Sequence, residues 1–193
     1  KKTGLQISCE VPPHHLQLTT KHYKQNENQT ITNPPLRTQK HVNTLWNALK
    51  NGYIDTIASD HAPHTPTEKF APSIWDTKPG IPGLETLLPL LLDQINKNKL
   101  TLTELVKLTA EQPAKIYHLN NRGKIQPGNW ADLTVVDMKH KHKIDSSLFY
   151  SKAKYSPFNG IQVTGKPTKT FVNGQIIMDN GEIIQKPPTG KII

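Results

Sequence analysis

Apolar residues recur along this chain in two rhythms. Between residues 38 and 51, Val42, Leu45, Trp46 and Leu49 fall at helical spacing, with Thr38 as a possible N-cap and Gly52 just past the end. Residues 84–95 are apolar nearly all round, which predicts a buried helix. It is entered through the tight turn Pro79-Gly80-Ile81-Pro82-Gly83. A further helix is predicted from Thr103 to about Ala110, and a short one over 113–118 with Pro113 in its first turn. Residues 5–11 and 53–59 are short apolar runs bounded by turn formers, and each reads as a buried strand. Residues 19–35 are polar and rich in asparagine and end on Pro34-Pro35, so a long loop is expected there.

The rhythm changes near Gly123. The dipeptides Gly128-Asn129, Asn173-Gly174 and Asn180-Gly181 punctuate short β-rich runs at 133–136, 170–172, 175–178 and 182–184. Asn-Gly is the strongest short-range hairpin signal, so 170–184 reads as consecutive hairpins. The chain is therefore divided at the sequence level into an α/β part, residues 1–122, and a β-rich part, 123–193. A parallel sheet of two strands is too small to stand alone.

The 193 residues (21.7 kDa) allow one domain, or one and a part. Hydrophobic residues make up 34%, a thin supply for a free-standing core. No apolar run approaches the roughly 18 residues of a membrane-spanning helix. The lone cysteine, Cys9, excludes an internal disulfide and is expected to sit in the core of the first strand; it fits a reducing, cytoplasmic setting. The chain opens on Lys1, with no signal-peptide pattern, which suggests a start inside a longer protein or processing. The net charge is +9, yet only Arg37 and Arg122 are arginines. Nucleic-acid readers favour arginine forks, so the scattered lysines read as a solvated surface and no specific nucleic-acid partner is expected. The densest basic run is Lys139-His140-Lys141-His142-Lys143.

Candidate chemistry gathers at the ends of the two predicted strands. Ser59-Asp60-His61-Ala62-Pro63-His64-Thr65 follows the second, and in an α/β barrel that end carries the active site. An aspartate there can bind a metal or move a proton, and His61 and His64 could reach the same cavity. Glu10-Val11-Pro12-Pro13-His14-His15 follows the first strand; neighbouring histidines diverge, so at most one is expected to face a site. Asn33 precedes a proline, which holds it extended. His140 and His142 would share one face of a strand, but interleaved lysines oppose metal binding there. Walker, dinucleotide-binding, nucleophile-elbow and zinc-finger patterns are missing.

Together these segments resemble dihydroorotase. The resemblance is carried by Ser-Cys-Glu-Val-Pro-Pro-His-His-Leu (8–16), Thr-Asn-Pro-Pro-Leu-Arg (32–37), Ala-Ser-Asp-His-Ala-Pro-His-Thr (58–65) and Pro-Gly-Ile-Pro-Gly-Leu-Glu-Thr (79–86). Later segments at 123–133, 155–160 and 172–175 also fit. The likeness covers nearly all of this chain but only the C-terminal part, under half, of the family's length. Hydantoinases and allantoinases typically carry Glu-Thr-Cys-Pro where this chain has Cys-Glu-Val-Pro-Pro-His-His.

The resemblance implies the last two β/α units of a (β/α)8 TIM-type amidohydrolase barrel plus part of a C-terminal β-sandwich. It implies zinc-dependent, reversible hydrolysis of L-dihydroorotate to N-carbamoyl-L-aspartate in pyrimidine biosynthesis. Asp60 would ligate zinc and serve as catalytic acid and base. His64 and Asn33 would hold the substrate's carboxylate and ring amides, and Gly80 and Ile81 would line the ring. His14 and His15 would orient the loop below the site. The family's other metal ligands lie upstream of residue 1, so activity is expected only with the N-terminal part, in cis or in trans, and in a homo-oligomer. The alternative is an inactive dihydroorotase-like assembly module for another pyrimidine-pathway enzyme.

Overall fold

The computed structural model describes residues 4–184 and 190. The chain packs as two compact units: residues up to 87 together with 143–162, and residues 88–142 together with those from 163 onward. This partition follows packing, whereas the sequence-level division near Gly123 follows the change in element type.

In the first unit, β1 (Glu10–Val11) and β2 (Thr56–Ile57) pair in parallel, Glu10 opposite Thr56 and Val11 opposite Ile57. Both strands are far shorter than the apolar runs predict. Leu5 and Ile7 are more than half exposed, so the apolar run before β1 is not covered. The ladder gives way at Cys9, whose N–H donates to Asp55 Oδ2 (2.8 Å) while its carbonyl accepts from the Asp55 N–H (2.8 Å). Cys9 is exposed rather than in the core, because the ladder stops short of it.

Helix α1 (Pro13–Gln17) follows β1 directly and buries Leu16. The expected loop at 19–35 is largely helical. A 3-10 turn (Thr20–His22), α2 (Tyr23–Asn26) and a second 3-10 turn (Glu27–Thr30) run one after another. The cue is a capping box with histidine in the usual Glu place: Thr19 caps the turn and its N–H donates to His22 Nδ1 (2.9 Å). Helix α3 (Gln39–Lys50) matches the periodicity and buries Val42, Trp46 and Leu49. Trp46 Nε1–H donates to the Leu16 carbonyl (2.8 Å), tying α3 to α1. Thr38 occupies the N-cap position, but its hydroxyl turns to His41 Nδ1 (3.0 Å) instead of capping. In contrast, Trp75 is 92% exposed, beside the exposed Ile74.

Helix α4 (Pro66–Lys69) is a single turn closed by a capping box between Thr65 and Glu68. Helix α5 (Leu84–Asn96) begins in the first unit and runs into the second. There Leu90, Leu91 and Leu92 are fully buried. Asn96 Nδ2 donates to the Met138 and Thr164 carbonyls, and Asp93 accepts from the Thr164 N–H. The two helices expected over 103–118 are one continuous run: α6 (Leu102–Val106), a π turn (Lys107–Glu111) and α7 (Gln112–Ile116). Pro113 cannot donate a helical bond, and the wider turn just before it carries the helix past that gap instead of ending it.

The second unit's sheet has the order β3 (Leu133–Lys143), β4 (Gln162–Val172), β5 (Gln175–Asp179), β6 (Glu182–Ile183). The pairs β4/β5 and β5/β6 are antiparallel. Both Asn-Gly turns are where the sequence predicts, with positive φ at Asn173 (50°), Gly174 (77°), Asn180 (49°) and Gly181 (93°), as type I′ hairpins require. Strands β3 and β4 extend well beyond their predicted cores. Lys139, Lys141 and Lys143 are exposed on β3, at one end of the strand order, where charge discourages stray pairing.

Candidate active site

The parallel pairing sends the segments after β1 and β2 off the same end of the ladder. The first carries His14 and His15, the second Asp60. Asp60 has φ 47°, a left-handed conformation that turns the chain sharply just after the strand. Its carboxylate lies 3.6 Å from His14 Nε2; the aspartate side chain is 48% exposed and the histidine 3%. That distance is within ion-pair range but too long for a hydrogen bond. Burial, reinforced by His15, lowers the His14 pKa to about 3, so the ring is neutral at pH 7. Burial also lowers His15, against the opposing pull of Asp60. The two rings stand 4.4 Å apart, and both Nε2 atoms are buried without a hydrogen-bond partner in the described structure. His14 thus faces Asp60, with the His15 ring stacked beside it.

The other two histidines diverge. His61 does not join Asp60. Its Nδ1 accepts the N–H groups of Gly83 (3.1 Å) and Leu84 (3.2 Å) at the start of α5, satisfying donors that a helix N-terminus leaves free. His64 is half-buried. Its Nε2 donates to the Pro79 carbonyl (3.0 Å), and its backbone N–H meets the Tyr155 hydroxyl (3.3 Å). Tyr155 is buried edge-on to Phe70, ring centroids 5.5 Å apart, and burial raises its pKa.

Residues 79–83 lie against the Asp60 loop. The Ala62 N–H donates to the Ile81 carbonyl (3.0 Å), and His61 and Ile81 form a parallel bridge. The approach is so close that a Cβ on Gly80 would lie 2.5 Å from the Ala62 carbonyl oxygen, and φ there is 145°. Only glycine meets both conditions. On its other side the Gly80 N–H donates to the Ile31 carbonyl (2.9 Å), drawing in the segment that bears Asn33. Asn33 itself is exposed, and its bond to Pro34 is cis.

Two participants escaped the sequence reading. Tyr155 belongs to a tail segment noted only for resemblance. Lys69 is fully buried among backbone carbonyls, yet a lysine one residue past a capping box looks like any helix-surface lysine. An open cleft of about 590 Å³ lies elsewhere, in the second unit, lined in part by Glu111, Lys115, Arg122 and Lys124. Its cations are partly spoken for: Arg122 pairs with Asp132, and Lys124 lies 3.8 Å from Glu111.

As a metal centre the donor set is incomplete. Among the described residues no three histidine, cysteine, aspartate or glutamate side chains are grouped to hold an ion. A zinc site needs three or four protein ligands; here Asp60 stands beside the neutral, buried imidazole of His14.

The amidohydrolase family's sequence profile matches residues 2–177, and the chain belongs to that family. Within it, the chain is similar to the dihydroorotase of Methanothermobacter thermautotrophicus, 41% identical over 179 residues. That match covers 93% of this chain and 41% of the relative. It is also similar to the L-hydantoinase of Paenarthrobacter aurescens, 37% identical over 195 residues, covering 98% of this chain and 42% of that one. The solved L-hydantoinase (dihydropyrimidinase) from Arthrobacter aurescens superposes with a TM-score of 0.92 at 36% identity, over 96% of this chain and 42% of that one. The chain thus spans about two fifths of the length of these relatives and corresponds to their C-terminal portion.

Proposed function

We propose that this chain is the C-terminal segment of a dihydroorotase, contributing half of a cyclic-amide hydrolysis site that an N-terminal segment completes in cis or in trans. The observation that carries the reading is the meeting of the loop bearing Asp60 and His64 with residues 79–81, through the Ala62 N–H on Ile81 and the His64 ring on Pro79, in a chain 41% identical to a dihydroorotase. The architecture proposed is the end of a (β/α)8 barrel over residues 1–122, followed by a β-rich segment over 123–193.

Asp60 is then the zinc ligand that this chain supplies, with others coming from the N-terminal segment. When bound, the metal supplies Lewis acidity. Asp60, exposed enough to reach solvent and flanked by a neutral His14, takes a proton from the attacking water and returns it to the leaving ring nitrogen. His64 and Asn33 hold the substrate carboxylate and ring amides, and the Gly80–Ile81 backbone lies against the ring. The exposed Leu5 and Ile7 support burial against an N-terminal segment, or against another copy in a homo-oligomer.

The test is reconstitution with zinc and an N-terminal dihydroorotase segment, assayed with dihydroorotate and, in parallel, with hydantoin. Dihydroorotate hydrolysis supports the proposal. Preference for hydantoin moves the site to the other relative's substrate class. The incomplete donor set favours a second reading, an inactive assembly module, and that becomes the better one if no N-terminal segment restores any hydrolysis.

A further inference from the structure

Lysine is almost never fully buried unless paired, yet Lys69 is wholly inside the first unit. Its Nζ donates to the carbonyls of Gly80 (2.7 Å), Ile31 (2.8 Å) and Lys78 (3.1 Å). An ammonium has three donors, so all three are used. Among the described residues no carboxylate lies within ion-pair distance of it. Carbonyl dipoles alone therefore meet its charge. Burial pushes its pKa down to about 8, which still leaves the cation dominant at neutral pH.

The three carbonyls belong to two segments brought from 38 and from 9–11 residues away. One leads into Asn33; the other contains Gly80 and precedes Ile81. The Lys69 helix follows immediately on His64, and its Glu68 carbonyl accepts the Lys78 N–H (3.1 Å). One ammonium therefore ties together the three segments that carry the substrate-facing positions.

Stability gives a poor reason for such a group. Replacing buried ionic groups by apolar side chains of similar volume is often neutral or stabilising. Fixing geometry gives a better one: without the ammonium, three converging carbonyls repel one another and the segments part.

The geometry points to Lys69 as a positioning residue, whose ammonium sets the spacing of residues 31–33 and 78–81 for recognition of the ring amides without touching substrate. This inference rests on the cyclic-amide site proposed above.

The experiment compares wild type, Lys69→Met and Lys69→Ala in the assembled, zinc-loaded enzyme. Lys69→Met is expected to raise KM for dihydroorotate about tenfold or more, with kcat per active site changed less than about threefold and zinc content retained. Propylammonium is expected to bring KM of Lys69→Ala back toward wild type. Leu90→Ala, a core truncation in the second unit, serves as the destabilised control and is expected to leave KM unchanged. A fall in kcat at constant KM, or equal KM effects in Leu90→Ala and Lys69→Met, overturns the inference.

Hydrogen exchange keeps the inference separate from the functional reading. In Lys69→Met the amides of Ala62, Lys78 and Gly80 are expected to exchange about tenfold faster or more, while those of α3 keep their rates. Uniform acceleration, or none, overturns the positioning role. If wild type is inactive on dihydroorotate, the functional proposal has failed and exchange alone decides the role of Lys69.

Discussion

The two β-structures in this chain make opposite bargains. In the four-stranded sheet, β4, β5 and β6 are antiparallel and joined by their own Asn-Gly turns, and β3 and β4 are eleven residues each. The parallel pair, β1 and β2, has two residues per strand, and the run before β1 is exposed. The hairpins are specified by their immediate sequence. The parallel pair and the segments that follow it are held by remote groups: Asp55 on Cys9, Trp46 on Leu16, Ala62 on Ile81. The candidate chemistry all lies beside the second kind, where strand ends and loops leave polar groups free to meet a ligand.

Four substitutions or conditions press on that contrast. The largest effect is expected from Asp60→Asn in the reconstituted enzyme. The amide can neither accept nor return the proton, so kcat should drop by roughly 10²–10⁴. Steady-state kinetics with zinc analysis checks this, and full activity would remove Asp60 from its proposed role.

Next comes Gly80→Ala. Its Cβ would meet the Ala62 carbonyl at 2.5 Å, and the φ of 145° is strained for any side chain. A loss of about 2–4 kcal/mol is expected, of the order measured for overpacking and backbone strain combined. Denaturant unfolding of the assembled protein measures it. A near-neutral result would mean that the two segments are not clamped.

Gly174→Ala strikes the self-contained sheet instead. It should cost about 1–2 kcal/mol, the cost of holding a residue with a Cβ in the left-handed region. KM for dihydroorotate should stay at its wild-type value. A changed KM would show that the β-rich unit is coupled to the site.

The smallest effect is a pH dependence. Lys69 has its pKa lowered from 10.5 to about 8 by burial. Between those values the folded protein has released a proton that the unfolded chain still holds, so stability rises with pH. Wild type should therefore gain on Lys69→Met as pH climbs from 8 toward 10.5, measured as the difference in urea midpoints. A constant difference would place the pKa of Lys69 near its ordinary value.

What could be read from sequence follows the same divide. The α3 periodicity of Val42, Trp46 and Leu49 and both Asn-Gly turns are local signals, and they match the structure. The polar stretch at 19–35 misled because its helical turns are stabilised by a Thr19–His22 box, a pairing that composition hides. The Asp60 loop was legible as a cluster, but the separate fates of its histidines were not. His61 leaves for the α5 N-terminus and His64 for Pro79, each set by a partner 15 or more residues away. Lys69 gave no local sign, because nothing in its neighbours encodes three carbonyls converging from elsewhere.

The contrast between Trp46 and Trp75 gives the first unit a built-in optical probe. A buried indole donating to a carbonyl emits at shorter wavelength than one bathed in water, and a soluble quencher such as acrylamide reaches only the second. Emission from this chain comes from three indoles: the buried Trp46, the fully accessible Trp75 and the partly exposed Trp130. Titrating an N-terminal segment into the double variant Trp46→Phe, Trp130→Phe would follow the surface around Trp75 by its own colour, with no label attached.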